Sequence, residues 1–462
     1  MARAGQRFSR LTLVAGLTLV AGLTLCLPAA PGMAQDVPPR LVFDLGSRLT
    51  YDDNPDLAAG GSDPRLTLDA SLGLTLNTTT RDQAFSLGLK GLARVTADES
   101  LALRNPSVTL AYSLDGANSR LSVNAVFQQS GVDLFEPLVS LIGGVVTTDI
   151  LATTGTVTSR VANLDFATGL QQPLGFDLAA TVNDRIYSDT SDPGVFDSTS
   201  QSLRLGVRLR LPSSGREISL TAGSSATDYQ NATRTSRDGR DLSLGYTQDL
   251  RPDLTLQASL GESEATTRQA GALDSRSTGV IGSLGLQTDL ANGSASVTLS
   301  SNRDSVGTTQ TLSFARSLDM PAGQLDATLG LSGRSGQDGQ LIGNLSYAHK
   351  LPTGSLGITL SRQVALSAAD QDVANTVLGL NYAHDINDTS RLGLSLNVLE
   401  TGTDGVTDAL RQTVSASYSH DLAADWQVTT GYQFRGLDTS TASAAQSNSV
   451  FLTISRKFTL RP

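Results

Sequence analysis

Stretch after stretch of this chain alternates apolar and polar residues, runs into a short turn and returns as another alternation, and nothing else constrains its fold as tightly. The turns share a local grammar, as in YTQDLRPDLTL from Tyr246, FARSLDMPAGQLDATL from Phe314, YAHKLPTGSLGITL from Tyr347, YAHDINDTSRLGLSL from Tyr382 and YSHDLAADWQVTTGY from Tyr418. Side chains on a strand alternate faces, so each hairpin builds a sheet with one apolar and one polar face. Leu203, Leu205, Val207, Leu209 and Leu211 stand against Arg204, Gly206, Arg208 and Arg210, and Leu392, Leu394, Leu396 and Val398 against Arg391, Gly393, Ser395 and Asn397. A soluble sandwich would carry large aromatic and β-branched residues on its core face, whereas this apolar face is mostly Leu. A propeller would bury its inner strands on both faces, and every strand here keeps a Gly/Ser/Thr/Asn side. The expected fold is all-β: a transmembrane, antiparallel, up-and-down β-barrel.

Runs of about 9 to 13 residues can cross a bilayer at a tilt. Such runs begin near Leu41, Arg65, Gln83, Asn105, Ser119, Val157, Gly175, Thr199, Arg216, Gly239 and Leu254. They continue near Ser275, Ser294, Thr308, Gln324, Gly339, Ser355, Val373, Ser390, Ala409, Trp426 and Ser447, a total of about 22 strands. Weak spans near Gln83, Ser355 and 132–156 leave 18 or 20 as alternatives. Short turns such as Pro212–Gly215, Arg251–Asp253 and Ala291–Gly293 alternate with longer connections such as Asp52–Pro64, Ser188–Ser198 and Gly402–Asp408. In bacterial barrels short turns face the periplasm and long loops the exterior, which would place both termini in the periplasm.

The first residues read as an export signal. Arg3, Arg7 and Arg10 precede the apolar run Leu11–Leu27, and a small-residue site at Gly32-Met33-Ala34 follows, so cleavage between Ala34 and Gln35 is expected. The chain then divides into a signal peptide, 1–34, and a single barrel domain, 35–462. Leu25 before the lone Cys26 argues against a lipid anchor, and Cys26 would leave with the signal, so no disulfide is expected. No later segment approaches the roughly 20 apolar residues of a spanning helix.

The full chain has 44 acidic and 34 basic residues, and losing the three signal arginines widens the acidic excess, which disfavours nucleic-acid partners. Most acids are Asp in turns, where the carboxylate caps local backbone. Tyr112, Tyr246, Phe314, Tyr347, Tyr382 and Tyr418 lie a few residues before short turns, with Trp426 just after one, as an interfacial aromatic girdle requires. His349, His384 and His420 each follow a girdle tyrosine by two residues. Equivalent positions on separate hairpins lie around a rim, too far apart to share an ion, so neither a metal nor a cofactor is expected. The apolar segment Val132–Thr156 breaks the pattern as the longest connection, suited to an inward constriction, an outer flap or an extra hairpin.

The opening LVFDLGSRLTYDDNPDL from Leu41 and the terminal FLTISRKF from Phe451 resemble the second putative β-barrel porin family and the related barrels of exopolysaccharide (PEP-CTERM) gene clusters. The likeness spans essentially the mature chain and implies no catalytic residues. Two departures stand out: Arg456 sits at a usually apolar place, and Thr459–Pro462 follow Phe458. Twenty-two strands are also the count of plugged outer-membrane transporters, but the few residues between Gln35 and the first strand leave no room for a plug. A hydrolase would need a Ser/His or Asp/His set on the outer rim, and the histidines fall at the other one.

The expected function is a porin-like channel or conduit for polar solutes or glycans, without enzymatic chemistry. Its bore would be lined by Ser, Thr, Gly, Asn and Gln with sparse charges at Asp44, Arg48, Asp69, Lys90, Arg204, Arg208, Arg210 and Arg435. Arg204, Arg208 and Arg210 would form a cationic ladder, unless they pair with wall carboxylates such as Glu217. The alternative is a non-conducting structural or assembly barrel of an exopolysaccharide export system. Expected partners are outer-membrane lipid and lipopolysaccharide, the barrel assembly machinery and polysaccharide.

Overall fold

The computed structural model describes residues 37–96, 102–131, 155–190, 196–211, 215–304, 306–335, 338–366, 371–403, 406–423, 425–440 and 442–460. Its strands run, in chain order, β1 (Val37–Asp52), β2 (Arg65–Thr79), β3 (Gln83–Thr96), β4 (Ala102–Asp115), β5 (Ser119–Gly131), β6 (Thr156–Thr168), β7 (Leu174–Ser188), β8 (Ser198–Leu211), β9 (Arg216–Tyr229), β10 (Ser236–Arg251) and β11 (Leu254–Arg268). The second half comprises β12 (Ser275–Leu290), β13 (Gly293–Arg303), β14 (Thr308–Met320), β15 (Gly323–Arg334), β16 (Gln340–Leu351), β17 (Gly354–Leu366), β18 (Asp372–Asn387), β19 (Ser390–Thr403), β20 (Val406–Ala423), β21 (Trp426–Thr439) and β22 (Ala442–Leu460). Each strand pairs antiparallel with its neighbours in sequence, and β1 pairs with β22 from Leu41↔Leu460 to Asp52↔Ser449, closing a single sheet of 22 strands. This is a transmembrane up-and-down β-barrel, and closure leaves no edge strand unpaired.

The alternation sets the two faces. On β2 the leucines Leu66, Leu68 and Leu72 are exposed outward, and on β8 the stripe from Leu203 to Leu211 is. Residues of opposite parity face the bore. Hydroxyl pairs tie neighbouring strands on that inner face: Ser259 to Ser283 at 2.7 Å, Ser395 to Ser415 at 2.6 Å and Ser419 to Thr429 at 2.9 Å. At one end the turns are tight, and each is stitched to the next hairpin by a backbone bond. Asp249 N–H donates to Gly215 O, Asp289 to Asp253 O, Asp319 to Asn292 O, Lys350 to Ala322 O, Asp385 to Thr353 O and Asp421 to Thr389 O. The repeated turn grammar of the sequence is therefore the chemistry of one rim. Gly293 and Gly354, both at positive φ, open strands directly after such turns, a backbone conformation that costs little without a Cβ.

The girdle residues lie on the outer face of this tight-turn rim, where Phe314 and Tyr418 are exposed. Each histidine lies parallel to its tyrosine on the same strand, with ring centroids 5.9 Å apart for Tyr347 and His349, 6.3 Å for Tyr382 and His384, and 6.5 Å for Tyr418 and His420. His384 and His420 engage Thr353 and Ser390 hydroxyls through Nδ1. Arg456 faces outward opposite Leu45, its guanidinium 4.1 Å from the Phe458 ring centroid and 5.2 Å from that of Trp426. An arginine at an apolar place is thus accommodated by stacking on interfacial rings.

The spans near Gln83 and Ser355 are full strands, so the count is 22 rather than 18 or 20. Two expectations need correction at the other end. Gly402–Asp408 is not a long loop, because β19 runs to Thr403 and β20 begins at Val406. The last strand starts at Ala442, ahead of the expected Ser447, since backbone pairing carries it through a polar stretch that shows no apolar alternation. β5 and β6 pair with each other down to Gly131 and Thr156, while residues 132–154 of the apolar segment lie outside the described residues, as does the expected export signal.

Candidate functional site

The candidate site is the bore. All eight charged residues expected to line it have inner-face parity, but their environments differ. Asp44 pairs with Lys457 at 3.9 Å. Asp69, nearly buried, accepts two bonds from Arg94 at 2.7 and 3.0 Å, the bidentate geometry a guanidinium favours. The Arg48 guanidinium lies 3.9 Å from the Phe451 ring centroid and donates to Thr50. Lys90 and Arg204 are exposed to the bore and, among the described residues, make no hydrogen bond or ion pair.

The arginine ladder on β8 is therefore divided. Arg208 pairs with Asp177 at 2.9 Å. Arg210 pairs with Glu217 at 3.0 Å and also donates to the carbonyls of Gly169, Leu170 and Gln172, capping the β6–β7 turn. Gly206 is opposite Asp177 in the register, and a Cβ there would collide with the Asp177 carboxylate, so glycine makes room for the ion pair. Only Arg204 remains a free cation of the three.

At the tight-turn end the inner wall is polar and open. Gln257, Gln287, Asp289, Asp319, Gln324 and Lys350 are exposed there. A concavity of about 880 Å³ runs along the wall of β14–β20 past Asp319, Gln324, Lys350, Ser355, Asn381 and Ser415. The acids Asp289 and Asp319 were hidden in the sequence among turn aspartates; their parity with Gly285 and Ser313 is the signal that places them inside.

The opposite end is packed around β19–β22. The inner-face residues Leu399, Ala409 and Ser447 are fully buried, with Arg411, Thr413 and Ala445 close to it. Arg334 lies between Asp304 at 2.6 Å and Asp372 at 3.1 Å, with both its own side chain and that of Asp372 under a tenth exposed. Arg435, the eighth expected residue, belongs here: its Nη2 donates to Asp52 at 2.8 Å, to Ser447 at 3.1 Å and to the Pro55 carbonyl at 3.2 Å. Asp53 is doubly bonded to Asn448, through that residue's backbone N–H and its side-chain amide, and these bonds hold its carboxyl below the usual range. No group of three or more His, Cys, Asp or Glu side chains able to hold a metal occurs among the described residues.

No known family profile matches the chain, and no curated protein does. Solved structures do. The open form of the ferric-catecholate import receptor Fiu of E. coli K12 aligns with a TM-score of 0.53 at 12% identity, over 92% of this chain and 82% of that one. The apoprotein form of the FrpB iron transporter of Neisseria meningitidis aligns with a TM-score of 0.56 at 9% identity, over 92% and 81%. The siderophore receptor PiuA of Acinetobacter baumannii aligns at 0.51 and 9%, over 92% and 82%. At such identities the likeness is one of fold: the chain has the architecture of outer-membrane barrel receptors.

Proposed function

We propose that this barrel is an outer-membrane conduit for polar solutes or glycans, exported through its N-terminal signal and oriented with the tight turns toward the periplasm. The observation that carries the reading is the exposed, hydroxyl- and amide-bearing inner wall at the tight-turn end, with its concavity of about 880 Å³. Twenty-two strands enclose a lumen wider than wall side chains can fill. Neutral polar groups with few unpaired charges favour neutral or weakly charged hydrophilic cargo over a single ion species. The solved structures of the same fold are named as transporters and receptors rather than enzymes, which accords with a role without bond chemistry. Kinship with the second putative β-barrel porin family and the exopolysaccharide-associated barrels is part of the same proposal, resting on the Asp52-Asp53-Asn54 opening and the closing strand.

Planar-bilayer recording of the purified protein tests it. The conduit reading expects conductance, and it expects Arg204→Ser to shift the reversal potential toward cation selectivity more than Arg208→Ser, because of these two arginines Arg204 carries the uncompensated charge while Arg208 is paired with Asp177. A well-folded protein that never conducts would instead support a structural or assembly role.

A further inference from the structure

The longest described connection, residues 53–64 between β1 and β2, is drawn over the inner face of β21 and β22. Asn54 organises it. Its side-chain amide donates to the Gln446 carbonyl at 2.8 Å and to the Ala58 carbonyl at 2.9 Å, while its oxygen accepts from Ala58 N–H at 3.1 Å and from the Ser62 hydroxyl at 2.8 Å. The side chain that ties the loop to itself therefore also ties it to the last strand, and it is 5% exposed. Beneath it, Arg435 on the inner wall reaches up to the Pro55 carbonyl, and Asp52 and Ser447 complete the set. Asp53 adds a tie to β22, its N–H donating to the Asn448 carbonyl at 3.1 Å and its carboxylate accepting from that residue's backbone N–H at 2.6 Å and side-chain amide at 2.8 Å. Past Pro55, among the described residues, the loop is held to the β21–β22 wall only through Asn54. Asp56, Ala59, Gly60, Gly61 and Asp63 are exposed, the Arg65–Asp56 pair is open to solvent, and Gly61 has φ +79°. A segment with few buried apolar contacts and a concentrated polar attachment can open as a unit without unfolding the sheet below it.

From this arrangement we infer that residues 53–64 are a gate for the long-loop mouth, hinged at Asp53, which is bonded to Asn448, and latched shut by the bond from Asn54 to the Gln446 carbonyl of β22 and by Arg435 of β21. The loop covers inner-wall positions of β21 and β22 at the long-loop end, where Ser447 is fully buried, so its release would uncover that part of the wall and widen the mouth there. The idea rests on the conduit reading, and it assigns to Asn54 and Arg435 the closed–open equilibrium rather than selectivity.

Planar-bilayer recordings of three proteins decide it: the wild type, Asn54→Ala, and a variant lacking residues 56–63, each first shown to be a folded barrel by its heat-dependent gel mobility. The wild type is expected to dwell in a low-conductance state. Asn54→Ala should raise its open probability by about tenfold, the shift that losing about 1.4 kcal/mol of latch energy produces, and the shortened loop should be open throughout. Equal conductance in all three proteins would overturn the gate while leaving the conduit standing. Silence in all three, the shortened loop included, would overturn the conduit reading as well.

Discussion

The two ends of the bore share one wall chemistry and use it in opposite ways. At the tight-turn end, Ser355, Asn381, Gln324, Lys350 and Asp319 stand exposed beside a concavity. At the long-loop end around β19–β22, the inner-parity residues Leu399, Ala409 and Ser447 are buried, and at that end Arg334 pairs with Asp304 and Asp372, and Arg435 with Asp52. A polar face by itself therefore does not define an open channel. Among the described residues, what separates the β21–β22 wall from the other end is that the 53–64 connection folds back over it, and the tight turns have no length to do so.

The largest effect expected from testing this contrast is at Arg334. Removing one member of a buried ion pair strands the other charge, which costs about 3–5 kcal/mol. Arg334→Met should therefore destabilise the barrel by about that amount in reversible denaturant unfolding, whereas Lys350→Met at the open end should be nearly neutral. Similar losses at the two positions would remove the distinction between the ends.

Next comes the contrast between faces. Leu394 points outward and Ser395 borders the open concavity. Arginine at a lipid-facing position costs roughly 2–4 kcal/mol at the midplane and less toward the interface. Leu394 pairs with the girdle residue Tyr382, so Leu394→Arg should lower the unfolding free energy by up to about 2 kcal/mol and Ser395→Arg should be tolerated. Equal destabilisation by both would show the faces to be misassigned.

A third substitution compares serine with serine. Ser447, like Ser395, faces the bore, but it is fully buried and bonded to Asp52 and Arg435. Ser447→Arg must force extra volume into a packed site, a cost of about 1–3 kcal/mol, against little for Ser395→Arg. Parallel thermal unfolding of the two variants in the same lipid measures the difference.

The smallest effect is a pH dependence at Asp53. Its folded-state pKa lies below the ordinary 3.8 because Asn448 donates to the carboxylate from backbone and side chain. The stabilisation is thus complete above the unfolded value and is lost as pH falls through the lower folded value. Wild type should exceed Asp53→Asn slightly in stability at neutral pH, and the gap should vanish in strong acid. A gap that persists there would mean the carboxylate charge plays no part in holding the loop to β22.

Much of this was legible in the chain. Period-two alternation is a local property, so Leu203–Leu211 could be set against Arg204–Arg210 from spacing alone, and strand starts such as Arg65, Arg216, Leu254 and Trp426 follow from the turn residues before them. The 22-strand count follows from adding such local units in order. Less legible were β20 and β22 at the long-loop end, where Val406 and Ala442 extend strands through polar sequence because pairing there is held by backbone bonds and needs no apolar stripe.

The sequence by itself determined the two faces and the approximate strand number, and it named eight of the charges that have inward parity while missing others such as Asp289 and Asp319, since alternation depends on residues close together along the chain. Only the tertiary structure decided what those charges do. Whether Arg208 meets Asp177 depends on the register between β7 and β8, and the bonds from Asp53 to Asn448 span 395 residues and exist only once β1 has closed on β22. Likewise, no alternation pattern distinguishes the half-buried Ser395 beside the concavity from the fully buried Ser447. That difference arises from a loop whose attachment is made by side chains brought together through closure of the barrel.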